Sequence, residues 1–335
     1  MKSKIVVSTL LAGFLIFFQS CSKDEFTPPR DISLPNKIET VLNGNDQNLI
    51  DWLNKVRGSV GKRGPGSKTI WSRKNDYGLG LYISANHVYN LNTWRAKRAE
   101  YFDPASENLG IFESSQIPGS SGDTALGNVL VADFPLIHFD ISSEATNTTL
   151  RMNEDFYLGI IDNQRVQQPI FPQYPNLVQT NTPLEMYDPF NRSKADQTWN
   201  DPVGGESSIL VGYPQDIVDY PNGAVAFGII LSDEEAEKIL IELQHAGDAE
   251  GDMPYQSNVE FFIAAQGIAG MSGGGVFNDD GQLLGIMLRA SDAENAPKII
   301  RAVKISYIKL KLFEFYKDLP QTDKNKLQPF IGDNP

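Results

Sequence analysis

Short apolar runs separated by polar, glycine-rich turns fill the C-terminal half of the chain. Residues 207–214, 223–231, 259–265, 275–278, 283–288 and 298–304 each have strand length and are too short for a buried helix. Asn278-Asp-Asp-Gly281 is a turn that joins two of them as a hairpin. Upstream, residues 69–72 and 78–84 flank the turn Asn75-Asp-Tyr-Gly78, and residues 128–132 run into a further apolar stretch at 134–139. Pro135 in that stretch cannot donate to a ladder, which predicts an edge strand or a local bend. Helical spacing occurs three times. Leu49, Trp52, Leu53 and Val56 predict a short helix over 46–56. Ser232-Asp-Glu-Glu235 is a capping box opening a helix that runs to about His245 and ends at Gly247. Ile308, Leu310, Leu312, Phe313 and Phe315 predict a last amphipathic helix over 305–317. Residues 58–67, rich in Gly, Lys and Arg, read as a loop, and residues 94–127 and 141–206 show no periodicity.

Composition agrees with a turn-rich β protein. The 335 residues include 28 Gly and 20 Pro and are 41% hydrophobic, enough for a sizeable core. The formal charge of −13 and the lack of a basic stripe exclude nucleic acid as a partner. Residues 1–20, with Lys2 and Lys4 before a short apolar core, are a secretory signal and not a membrane span. The only cysteine, Cys21, follows directly, so no internal disulfide can form. Phe18-Gln-Ser-Cys21 resembles a divergent bacterial lipobox, with Phe18 in place of the usual Leu or Val. It implies lipidation of Cys21 and an exported lipoprotein at the outer membrane or cell surface; ordinary cleavage leaving a free cysteine is the alternative. Ser22-Lys-Asp-Glu25 resembles the surface-export signal of Bacteroidetes lipoproteins, or is a solvated tether. Residues 22–45 read as a flexible tether, so that 21–68 hold a tether and a short helix, the folded domain starts near Thr69 and runs to 320, and 321–335 are a tail.

Candidate chemistry centres on Gln266-Gly-Ile-Ala-Gly-Met-Ser-Gly-Gly-Gly-Val-Phe277, which sets Ser272 between glycines on a loop between two apolar runs. A serine hydroxyl becomes a nucleophile when a base takes its proton and fixed N–H groups receive the oxyanion. Glycines let the backbone bend so that the N–H groups of Gly270 and Ser272 converge. The loop resembles the Gly-x-Ser-Gly-Gly-x-Val motif of chymotrypsin-like serine proteases. Leu81-Tyr-Ile-Ser-Ala-Asn-His-Val88 is similar to that family's strand ending in Ala-His, and Asp133-Phe-Pro-Leu-Ile-His-Phe-Asp140 to its Asp-Ile-Ala-Leu-Leu motif. The order His87, Asp133, Ser272 is the family's order, and the resemblance covers about residues 69–320. It implies two six-stranded antiparallel β-barrels, over roughly 69–140 and 207–304, with a C-terminal helix and an insertion at 141–206.

The resemblance also implies acyl transfer to water, with His87 as base, Asp133 as its orienting carboxylate, Ser272 as nucleophile, and Gly270 and Ser272 as the oxyanion hole. Asp140 is the rival carboxylate; His138 reads as a core or face residue and His245 as a helix-end charge. Gln266, Leu288, Arg289 and Ala290 fall where the family builds its substrate pocket and pairing strand. Neutral Gln266 gives no reason to expect cleavage after Lys or Arg. Arg289 either attracts acidic residues or points to water. Leu288 lacks the hydroxyl that supports the family's aspartate. Met271 replaces the aspartate that pairs with a newly cut N-terminus, which predicts no such activation switch. No ligand cluster suggests a metal and no phosphate loop a nucleotide, so no cofactor is expected. The partners expected are a protein or peptide substrate and the membrane, for a monomer. The alternative is a protease-like surface lipoprotein that binds a protein or peptide without cutting it.

Overall fold

Two antiparallel sheets absorb the apolar runs. The computed structural model describes residues 26–63, 66–74, 79–90, 132–137, 151–162 and 199–317, together with 319–321 and 324. The first strand, β1 (Asn36–Lys37), is short and is followed by helices α1 (Ile38–Leu42) and α2 (Gln47–Val56). Next come β2 (Val60–Arg63), β3 (Gly66–Lys74) and β4 (Leu79–Ala85), the short helix α3 (Asn86–Asn90), β5 (Ala132–Ile137) and β6 (Phe156–Asp162). These five strands, β2 to β6, form one sheet in the order β2-β3-β4-β6-β5. Then follow β7 (Ser207–Gly212), β8 (Ala224–Ile230), helix α4 (Asp233–Ala246), β9 (Glu260–Ala264), β10 (Gly275–Phe277), β11 (Leu283–Ala290), β12 (Ile300–Lys304) and helix α5 (Ile305–Lys317).

The second sheet runs β8-β7-β10-β11-β12-β9 and closes, because β9 also pairs with the end of β8. This is the six-stranded antiparallel barrel expected, and β1 adds itself to the rest of that β8 edge. The fold is all-β with one closed barrel, but the first sheet has five strands among the described residues, not six. Pro135 lies in β5, an edge strand, beside a register shift, as a residue without an N–H requires.

One apolar core is shared. Ile83, Phe156 and Leu158 of the first sheet pack with Ile209, Val211, Phe277 and Ile286 of the second, and with Ile305, Ile308 and Leu312 of α5. This fixes the sheets against each other and makes the seam between them a rigid place for a site. A separate cluster, including Leu210, Phe261, Val276, Leu284 and Met287, fills the closed barrel. The helices end as their sequences require. In α4 the Ser232 side chain accepts from the Glu235 N–H and Glu235 reaches back to the Ser232 N–H, while Gly247 closes the helix in the left-handed region at φ 70°.

Two expectations are corrected. The stretch 58–67 is not a loop: β2 and β3 pair there, Gly61 opposite Lys68. Their lysines misled, since Lys62 and Lys68 are buried, the Lys62 Nζ donating to the Pro214 carbonyl at 2.8 Å and the Lys68 ammonium standing over the Tyr82 ring. Residues 26–45 do not hang free either. The Lys298 N–H donates to the Pro29 carbonyl at 2.6 Å, Phe26 packs on the α4 cluster, and Ile38 is fully buried. Residues 1–20, Cys21, His138, Asp140, 94–127 and most of 141–206 and of the tail lie outside the described residues.

Candidate active site

Strand β4 ends where its ladder with β6 ends, at Ala85 opposite Phe156. The next residues of each chain therefore meet. The Asn86 N–H donates to the Asp155 carbonyl at 2.9 Å, and the Asn86 side-chain amide donates to the Glu154 carbonyl at 3.0 Å. This braces the turn that carries His87. The His87 N–H donates to Asp155 Oδ1 at 2.9 Å, and the ring Nδ1 lies 2.9 Å from both carboxylate oxygens. A carboxylate only accepts, so Nδ1 carries a proton, and in the neutral ring Nε2 is then the nitrogen with the lone pair. The Asp155 side chain is fully buried and the His87 ring 14% exposed, which leaves an edge of the ring open to a reactant.

The carboxylate that meets His87 is thus Asp155, not the Asp133 expected. In β5 Asp133 stands opposite Ile161 of β6, six residues from Asp155, or about 20 Å along a strand. That is the far end of the ladder from His87. Asp155 had its own signal: it immediately precedes the apolar run Phe156-Tyr-Leu-Gly-Ile-Ile161.

The Ser272 loop is held from the first sheet by hydroxyls. The Ser67 N–H donates to the Ser272 carbonyl at 2.8 Å, and Ser67 Oγ donates to the Gly270 carbonyl at 2.8 Å while accepting from the Tyr213 N–H at 2.7 Å. Thr69 Oγ1 donates to the Gly273 carbonyl at 3.0 Å, and Ser84 Oγ to the Ser67 carbonyl at 2.7 Å. Gly270 and Gly273 adopt φ of 98° and 89°, and a Cβ on Gly273 would stand 2.1 Å from the Ser67 carbonyl oxygen. Only glycine meets both demands. Met271 is buried within the barrel core against Gly212.

The carbonyl of Ala269 accepts from the Gln215 N–H at 2.9 Å. A trans peptide then directs the Gly270 N–H the opposite way. The N–H groups of Met271, Gly273 and Gly274 go to the carbonyls of Ile268, Met287 and Met271. Among the described residues, no backbone acceptor takes the N–H of Gly270 or of Ser272. Two donors on one glycine-bent loop suit a developing oxyanion.

His87 and Ser272 line one cleft of about 400 Å³, together with Leu288, Arg289 and Ala290. Gln266 is half-buried and not part of that lining; Gly267, Ile268 and Ala269 take the wall. The Ser272 hydroxyl donates to the Leu288 carbonyl at 3.1 Å. Arg289 does not point to water. It is buried, with Nε 3.5 Å from Asp155 Oδ2 and a terminal nitrogen 3.6 Å from Glu250 Oε1. Glu250, also in the cleft lining, is pushed up to about 7, because burial outweighs the attraction of Arg289 and Arg301. Arg301, fully buried, forks onto Glu260 at 2.8 and 2.9 Å. Burial raises Glu260 above the usual carboxylate range, against the pull of Arg301. His245 sits in the last turn of α4, away from this lining. No group of metal-ligating side chains occurs among the described residues.

Neither a protein-family model nor a curated protein sequence matches the chain. Solved structures do. The chain is similar to Rv3671c of M. tuberculosis H37Rv, a serine-to-alanine mutant in an inactive form, at 12% identity over 88% of this chain and 99% of that one, with a TM-score of 0.42. A second inactive-form structure of the Rv3671c protease matches at 13% identity over 85% and 98%, with a TM-score of 0.40. The HtrA-type protease AlgW with a decapeptide matches at 11% identity over 80% and 67%, with a TM-score of 0.41.

Proposed function

We propose that the protein is a serine endopeptidase. One observation carries this: His87, with Nδ1 committed to the buried Asp155, shares a cleft with Ser272 on its glycine-bent loop. The Ser272 hydroxyl turns from the Leu288 carbonyl to His87, and Nε2 takes its proton as Oγ attacks a peptide carbonyl. The Gly270 and Ser272 N–H groups receive the oxyanion. His87 then gives the proton to the leaving amine, and water repeats the cycle on the acyl-enzyme. Asp155 stabilises the transient imidazolium and stays a carboxylate throughout.

A fluorophosphonate probe tests this without knowledge of the substrate. The expected result is labelling of the wild type that disappears in Ser272→Ala and His87→Ala. The second reading, a binding protein on a protease fold, is favoured by the resting bond from Ser272 to Leu288. A well-folded wild type that takes no label would select it. We also propose that Cys21 carries a lipid anchor holding the protein at the outer membrane or cell surface, on the strength of the lipobox-like Phe18-Gln-Ser-Cys21. Release of Cys21→Ser into the soluble fraction is the expected outcome; retention in the membrane fraction would refute it.

A further inference from the structure

Behind the candidate catalytic pair lies a buried file of charges that acyl transfer does not require. It runs from Asp155 through Arg289 and Glu250 to Arg301 and Glu260. Arg289 Nε is 3.5 Å from Asp155 Oδ2, and its terminal nitrogen is 3.6 Å from Glu250 Oε1. Arg301 stands 3.7 Å from Glu250 Oε2 and 2.8 Å from Glu260 Oε2. The side chains of Asp155, Arg301 and Glu260 are fully buried, and those of Arg289 and Glu250 are 6% and 10% exposed. Such charges are costly to remove from water unless each is offset by a neighbour, so the file is constrained to keep its order.

We propose that Arg289 is a positioning residue for the candidate catalytic pair: wedged between Asp155 and Glu250, it holds the Asp155 carboxylate square to His87 and offsets part of its charge. This rests on the serine-hydrolase reading. The His87 N–H and ring both meet Asp155 Oδ1, the ring alone meets Oδ2, and Oδ2 is the oxygen that Arg289 also faces, at 3.5 Å. The guanidinium is itself held by the register of its strand. The β11–β12 ladder shifts between Met287 and Arg289, and Arg289 pairs with Arg301.

Glu250 sets how strongly that charge is felt. The groups facing Glu250 are Arg289 from β11, Arg301 from β12 and Asp248 from its own loop, with Glu260 behind Arg301. The Asp248 carboxylate is occupied, accepting from the N–H groups of Glu250, Asp292 and Ala293 at 2.9 Å each. Titration of Glu250 near pH 7 is therefore the step that changes the balance. Above it, Glu250 offsets Arg289. Below it, the full guanidinium charge acts on Asp155 and disfavours a second positive charge on His87.

The test follows the ring signals of His87, one of 3 histidines in the chain, by NMR across pH, alongside the pH dependence of fluorophosphonate labelling. In Arg289→Met the His87 titration midpoint should move up by on the order of one unit, because a nearby cation is gone. Labelling at pH 8 should fall by about ten- to a hundredfold, as expected for a loosened base. Glu250→Gln should move the midpoint the other way by a smaller amount. If Arg289→Met fails to fold, the double variant Arg289→Met, Glu250→Gln removes both charges, and its midpoint should still lie above the wild type's. Arg289→Lys should restore most of the position. An unmoved midpoint in the folded single or double variant overturns the proposal. A wild type that takes no label overturns the serine-hydrolase reading instead, and the ring titration still decides the role of Arg289.

Discussion

At the residue scale, the choice between two aspartates shows what sequence conveys and what it does not. Asp133 and Asp155 both precede apolar runs, and nothing local to either tells which strand end meets His87. The ladder does. Pairing of Ala85 with Phe156 brings residue 155 to residue 86, whereas Asp133 pairs with Ile161 at the opposite end. Register is a long-range property, fixed by which faces the core buries, and a motif window cannot contain it. The meeting of His87 and Ser272 in one cleft is foreshadowed by their motifs, because such motifs constrain their immediate neighbours. The partner carboxylate has no such constraint beyond its final position. Asp155→Asn should therefore leave the fold in place and lower fluorophosphonate labelling by on the order of 10⁴, since an amide in that place stabilises the wrong ring tautomer. Asp133→Asn should change labelling by less than a few-fold. The reverse ranking of the two variants would restore Asp133 to the pair.

At the scale of elements, β2 and the start of β3 are the pieces that the sequence hid. They look like loop because Gly61, Lys62, Arg63, Gly66 and Ser67 are polar or small. The β3 hydroxyls are buried for a reason: they satisfy the Gly270 and Gly273 carbonyls of the Ser272 loop and the Tyr213 N–H. A polar strand that serves another strand's loop gives no hydrophobic alternation, so periodicity is blind to it. The longer helices, by contrast, are readable from the spacing of Leu49, Trp52, Leu53 and Val56, and from the Ser232–Glu235 box and Gly247, because spacing and caps are local. Ser67→Ala would leave the Gly270 carbonyl and the Tyr213 N–H unpaired in the interior. Each costs about 1–3 kcal/mol, so urea unfolding should show a loss of roughly 2–6 kcal/mol together with weakened labelling. Gly273→Ala should do more, because the new methyl meets the Ser67 carbonyl and the backbone is in the left-handed region. If Ser67→Ala were as stable as wild type, the hydroxyl clamp would not be what holds the loop.

At the scale of the molecule, the boundary drawn from sequence near Thr69 cuts through the fold. Polar, proline-containing composition suggested a tether, yet Ile38, Leu53 and Val56 are fully buried in the core that joins the two sheets. The Trp52 indole N–H donates to the Asn278 carbonyl at 2.7 Å, and the Lys55 side chain lies over Gly281, so α2 also braces the hairpin that follows the Ser272 loop. Few apolar residues are needed to commit a segment when each is completely buried, and composition averages them away. Deleting residues before 69 would remove those three side chains and all of β2. Each aliphatic side chain alone is worth about 2–5 kcal/mol when truncated in a core. Their sum rivals the entire 5–15 kcal/mol that holds a typical domain together. A chain starting at residue 26 should give a cooperative thermal transition and react with the probe. One starting at residue 69 should be insoluble or lack that transition. Equal stability of the two would mean that residues 26–68 rest on the domain without belonging to it.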